Sequence, residues 1–305
     1  MLVWRGHRAK VRSLAFAPDG RRIATTSGSS KFVWLWDPTT GQRADKFTDT
    51  HRHGNDSVRY VTFFPNGQYV AGTWEYGGVT VWYAASGARA SVLNNPGEGL
   101  NPDALAVSPD GSRLFGCSTR LLEWDNPTAR PPASGVSPHN RTHENPIRGS
   151  TPRIGFSPRG TYFCIAGWHM CLYDGTTLEP RRVLSAPVGN ANAAAFAFTP
   201  DETRLVVAFG HSSAVWRLDE PDAPPVKCGS HGNLVRAVGF LPGGGTVLTA
   251  AMDGTVRLWD STTGAETRSF DWGIGKVQAA AVSPDGTLCA AGGDDGHIVV
   301  WDVDA

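Results

Sequence analysis

The sequence predicts an all-β repeat protein built from seven four-stranded antiparallel units, and three observations carry that prediction. An aromatic residue closes a strand-like run at Trp36, Trp82, Trp124, Tyr173, Trp216, Trp259 and Trp301, at steps of 46, 42, 49, 43, 43 and 42 residues. A proline keeps time with it at Pro18, Pro65, Pro109, Pro158, Pro200, Pro242 and Pro284. Between the markers, short apolar runs alternate with turn residues at about ten-residue spacing, the pattern of successive short strands. Units of about forty residues repeated seven times mean an array in which each unit buries its faces against its neighbours.

The sixth unit shows the elements in order. Gly229-Ser230-His231 precedes a first strand, Leu234 to Phe240, and a turn at Leu241-Pro242-Gly243-Gly244. Thr246 to Ala251 forms the second strand and Asp253-Gly254 its turn. Thr255 to Asp260 forms the third, Thr262-Thr263-Gly264 turns again, and Glu266 to Phe270 is the fourth. Elsewhere the first turn reads Ala17-Pro18-Asp19-Gly20, Ser108-Pro109-Asp110-Gly111 or Ser283-Pro284-Asp285-Gly286. Proline pre-sets φ for the second position of a type I turn, and glycine suits the fourth.

These residues resemble the WD40 repeat family, whose unit carries Gly-His near its start and Trp-Asp near its end. The resemblance runs from Gly6-His7 to Trp301-Asp302. It implies a seven-bladed β-propeller with blades packed around a central channel. Residues 1–305 are then expected to form one domain. The last unit stops after its third strand, and Leu2-Val3-Trp4-Arg5 is a spare strand ahead of the first. That strand is expected to complete the last blade and close the ring without an open edge.

The resemblance also implies a hydrogen-bonded chain of His, Ser/Thr, Asp and Trp within a unit. Only the sixth unit supplies all four, as His231, Thr249, Asp253 and Trp259. The first unit keeps His7 and Trp36 but has Ser30 in the Asp place. The seventh keeps Asp295 and Trp301 but has Gly273 in the His place. The fourth substitutes Tyr173, and the fifth reads Trp216-Arg217. Apolar packing between blades is therefore expected to do most of the stabilising.

Bulk properties narrow the function classes. Lys plus Arg and Asp plus Glu both number 28, so no net positive field favours nucleic acid. The five cysteines, Cys117, Cys164, Cys171, Cys228 and Cys289, are odd in number and form no C-x-x-C pair. They read as free thiols of a reducing compartment. No signal-peptide pattern opens the sequence and no apolar stretch is long enough to span a bilayer, so a cytoplasmic protein with no membrane partner is expected. The Asn55 and Asn140 sequons are short patterns that arise by chance.

Catalytic motifs are missing: no G-x-S-x-G elbow, Walker loop or H-E-x-x-H helix occurs. His139 and His143 are four apart, with Glu144 adjacent, but a Pro-rich loop does not hold helical spacing. His51 and His53 lack a third ligand. No metal and no cofactor are expected. Four residues before the aromatic that ends the first strand, Arg12, Arg59 and Arg236 recur in units one, two and six. In a closed ring they would line one arc of the channel mouth, near Trp74, Tyr76 and Trp272. Arginine with aromatics suits a carboxylate- or phosphate-bearing partner. A composition bias, 23 Arg against 5 Lys, is the competing explanation, and the tryptophans could equally plug gaps between blades. The leading expectation is a monomeric, non-enzymatic scaffold for a protein or peptide partner. The alternatives are a propeller hydrolase or lactonase at the channel mouth, and a phospho-ligand or nucleic-acid binder on the arginine arc.

Overall fold

A computed structural model describes residues 1–28, 30–49, 56–94, 104–118, 120–125, 127–128, 137–138, 141–144, 153–187 and 191–303. His51, His53, Asn55, His139 and Asn140 lie outside the described residues. Seven small sheets are arranged as a seven-bladed β-propeller. Six contain four strands and one contains five. The innermost strands are Val11–Phe16, Val58–Phe63, Ala104–Val107, Arg153–Phe156, Ala193–Phe198, Val235–Phe240 and Val277–Val282. Each is the edge of its own sheet and lies beside the neighbouring blade, so together they surround the channel.

The opening strand, Leu2–Arg5, pairs antiparallel with His297–Asp302, with Leu2 opposite Val300 and Trp4 opposite Ile298. It thus supplies the outer strand of blade seven, as its position in the sequence suggests. The fifth strand of blade two was not foreseen. Residues 137 and 138 pair parallel with Leu93 and Asn94 at that blade's outer edge. The same long connection then provides Arg141–Glu144 as the outer strand of blade three.

The proline turns close as their residues dictate. The amides of Gly20, Gly111 and Gly286 donate to the carbonyls of Ala17, Ser108 and Ser283 at 2.8–2.9 Å. All three glycines have φ near +70°, which glycine adopts without steric cost. Blade five puts Glu202 in that place at φ 62°.

No single core exists; apolar clusters sit between consecutive blades. One joins Val33, Leu35 and Phe47 of blade one to Val58, Val70 and Trp82 of blade two. Another joins Val11, Ile23 and Trp36 to Ala290, Ile298 and Val300 across the seam between blades one and seven. Among the described residues there is no helix, and none is long and apolar enough to cross a membrane. All five cysteines are free, four of them buried.

Candidate functional site

The upper face is the one opposite the proline turns, where the inner strands begin. Arg12, Arg59 and Arg236 each follow a fully buried valine there: Val11, Val58 and Val235. Each sits where strand register shifts, between Val11 and Ser13, Val58 and Tyr60, and Val235 and Ala237. An irregularity of this kind adds an unpaired residue and re-aims its side chain. The fourfold offset before the aromatic therefore marks a recurring backbone feature, and Gln278 occupies the same place in blade seven.

A cavity of about 330 Å³ occupies the upper channel, lined by Arg12, Tyr60, Arg153, Arg236 and Gln278 together with small and apolar residues. Arg153 was not expected. It stands three residues before Phe156 rather than four, in register with Ser13, Tyr60 and Ala237 of other blades. A search widened by one residue would have found it. Desolvation by the channel walls, then the neighbouring charge of Arg153, lower the pKa of Arg236. Burial raises that of the Tyr60 phenol, against the attraction of Arg153. Among the described residues, no carboxylate lines the cavity.

Arg59 is placed differently from its sequence counterparts. Its Nη2 lies 3.2 Å from Glu75 Oε1, and Arg12 Nη2 approaches the same oxygen at 3.9 Å. The Ser57 hydroxyl donates to Glu75 Oε2 at 2.5 Å and is the main reason this carboxyl titrates low, with Arg59 and Arg12 adding to it. Glu75 thus links two of the three predicted arginines. Nothing in the one-dimensional pattern pairs it with them.

The aromatic candidates divide. Trp74 must be withdrawn as an exposed anchor, because it is fully buried in the cluster between blades one and two. Its ring packs 6.3 Å from Trp82, and its indole N–H donates to Thr80 Oγ1 at 2.9 Å. Burying the ring hides apolar area while that hydroxyl satisfies its polar tip. Trp272 is half-buried, stacked at 5.2 Å on Phe270 and 4.4 Å from Trp301. Much of it fills the seam between blades six and seven. Tyr76 is 73% exposed, and its amide donates to Asp56 Oδ1. Trp168 is also exposed.

The predicted chain in blade six is present. Trp259 Nε1–H donates to Thr249 Oγ1 at 2.7 Å, and Thr249 is 2.7 Å from His231 Nε2. His231 Nδ1 lies 3.1 Å from Asp253 Oδ2. A neutral ring with its proton on Nδ1 satisfies every member: Trp259 to Thr249 to His231, and His231 to Asp253. Blade one repeats the core of this arrangement through Trp36, Thr25 and His7, both contacts at 2.7 Å. Ser30 does not replace the missing Asp; its hydroxyl meets Trp34 and Phe32 instead. Blade two uses other residues for a similar end, with Thr80 between Trp74 and the buried Asp49. Close packing favours the glycine that precedes each histidine, most firmly at Gly229, where the contact is a rigid indole ring. A Cβ on Gly229 would lie 2.6 Å from Trp259, and one on Gly6 2.7 Å from Ile298.

At the opposite mouth, a cavity of about 610 Å³ is bounded by Pro158, Pro200, Pro242, Pro284 and apolar strand ends. Among the described residues, no group of three His, Cys, Asp or Glu side chains is placed to hold a metal.

Comparison with known proteins matches residues 1–37, 203–260 and 268–302 to the family described as WD domain, G-beta repeat. The matched stretches contain the best-kept copies of the sequence pattern. The chain is similar to telomerase protein component 1 of Rattus norvegicus, 24% identical over 361 residues, covering 98% of this chain and 13% of that protein. It is similar to small ribosomal subunit protein RACK1y of Oryza sativa subsp. japonica, 37% identical over 75 residues, 24% of this chain and 22% of the relative. Nuclear distribution protein nudF of Aspergillus niger is 24% identical over 264 residues, 85% of this chain and 52% of that protein. The matches therefore span between 13% and 52% of these relatives' own lengths.

Proposed function

The chain belongs to the WD40 repeat family, and on that premise we propose that it is a non-enzymatic interaction scaffold whose upper face binds a protein or peptide partner. The carrying observation is the meeting of Arg12 and Arg236 in one upper cavity that no carboxylate lines among the described residues, with Arg59 tied to Arg12 through Glu75 and Tyr76 exposed next to Glu75 in the sequence. A ring holds such groups in place before the partner arrives, so little ordering entropy opposes binding. Two similar proteins are named as a telomerase component and a small ribosomal subunit protein, that is, as parts of larger assemblies. This protein acts in the same manner, as a monomer and a single domain, with Arg12, Arg59, Arg236, Tyr76 and the open edge of Trp272 as its contact set.

The test replaces Arg59 and Arg236 together by Ala. Affinity capture from the native host should lose its specific partner at least tenfold. The melting temperature should change little, because ion pairs open to solvent on one side, as Arg59–Glu75 is, contribute about 0–1 kcal/mol. Capture of the same partner at undiminished yield would remove the upper arc from the binding surface.

A further inference from the structure

Resting on the scaffold reading above, we propose that the upper channel receives one phosphate monoester carried on a partner's side chain, gripped by Arg153, Arg236 and Arg12. The argument begins with charge. Three guanidinium groups from blades one, four and six line a single cavity of about 330 Å³, and among the described residues no carboxylate lines it. Neither Arg153 nor Arg236 has an ion-pair partner among the described residues; the side chain of Arg236 meets only the weak acceptor Met252 Sδ, at 3.2 Å. Arg12 reaches a carboxylate only at 3.9 Å, and its Nε is buried without an acceptor. Arg153 and Arg236 lie near each other with no counter-ion among the described residues, which is unfavourable; burial first, and then the proximity of Arg153, lower the pKa of Arg236. An anion entering the cavity would relieve that repulsion and fill the orphaned donor.

Geometry selects the kind of anion. A carboxylate offers two oxygens and one charge. A phosphate monoester offers three acceptor oxygens and about −1.5 to −2 charge near neutral pH, which suits three forks approaching from different blades. The Tyr60 hydroxyl and Gln278 amide line the same space and can complete the shell. The arginines stand where the inner strands start, so a side chain reaches them from the upper mouth. Exposed Tyr76 and the edge of Trp272 are available to the flanking residues.

Fluorescence anisotropy tests this with two degenerate heptapeptide pools, one with a fixed central phosphoserine and the other with serine. The phosphorylated pool should bind at least tenfold more tightly. Arg153→Gln should remove at least tenfold of that affinity, leave the serine pool and melting temperature unchanged, and be only partly rescued by Arg153→Lys, which lacks the fork. Arg236→Ala, at an accessible position, gives a second reading should Arg153→Gln fold poorly. Inorganic phosphate is the competitor. Displacement only at far higher concentration than the pool supports a side-chain-borne group, whereas displacement at equal concentration supports the same anion site with free phosphate as its source. Equal binding of both pools together with no competition by phosphate overturns the proposal. If that result appears while the Arg59/Arg236 double variant still loses its captured partner, the scaffold reading stands and only the phosphate is wrong.

Discussion

His7 and His231 hold equivalent places, and one carboxylate separates their chemistry. In each, Nε2 lies 2.7 Å from a threonine hydroxyl that already accepts an indole N–H, so a neutral ring accepting that hydroxyl's hydrogen satisfies both groups. Burial pushes His7 down to about 4 with nothing opposing it. Burial also lowers His231, but Asp253 pulls the other way. An unfolded imidazole takes its proton near pH 6.5. Between that value and about 4 the unfolded chain binds more protons than the folded one at His7, so stability is complete above pH 6.5 and falls as pH drops. The loss for His7 amounts to at most about 3 kcal/mol across the window. The urea midpoint should therefore decline between pH 7 and 5, before most carboxylates titrate. A flat midpoint over that range would contradict the neutral-histidine arrangement. Asp253→Asn should lower the His231 pKa further, measurable by NMR titration. Residues of this kind are legible in sequence when a family resemblance supplies their partners. His231, Thr249, Asp253 and Trp259 were read from one unit, whereas Trp74 was not, because its burial depends on a neighbouring blade.

At the scale of the element, turns repeat faithfully until a residue is recruited for another purpose. The turn Thr199-Pro200-Asp201-Glu202 carries Glu where its counterparts carry Gly, at φ 62°. A non-glycine residue in the left-handed region costs about 1–2 kcal/mol. The Glu202 carboxylate compensates by accepting the Arg159 amide of the adjacent blade's turn at 2.6 Å. A hydrogen bond to a charged group contributes about 1.5–3 kcal/mol. Glu202→Gly should thus lose about 1 kcal/mol net, and Glu202→Ala about 2–3 kcal/mol because strain stays while the bond goes. Urea unfolding of both variants checks the order. A Gly variant more stable than the wild type would show that the inter-blade bond is weaker than the strain. The irregularities that aim Arg12, Arg59 and Arg236 belong to this scale too. Sequence showed their common offset from the aromatic but not the register shift that explains it, since a shift is defined by the paired strand. That is also why Arg153, one position out of step, escaped notice.

At the scale of the molecule, stability resides in the seams. The seam between blades one and seven gathers Trp36, Ile298 and Val300, with Trp4 packed against it and 5.9 Å from Trp36. Removing Met1 to Arg5 strips His297–Asp302 of its outer partner and uncovers that cluster. The melting temperature should fall, at about 2–4 °C for each kcal/mol lost, and the shortened protein should associate through its bared edge. Unchanged melting and size-exclusion behaviour would mean that the pairing contributes nothing to closure.

The blade-six chain was implied by the family resemblance, and the pairing of the opening segment followed from counting strands; the sequence by itself determined the all-β class, the count of seven units and the proline turns. Those features depend on side-chain alternation, on turn residues and on fixed offsets within about forty residues, all of which one dimension preserves. Tertiary structure alone decided that Glu75 joins Arg12 and Arg59, that Trp74 is interior, and that Arg153 shares a cavity with Arg236. Apart from the Arg59–Glu75 pair, which lies within blade two, these are contacts between blades or across the channel. Such contacts depend on strand register and on the curvature of the ring, which bring Arg12 and Arg236, 224 positions apart, to one cavity, and no local pattern records them.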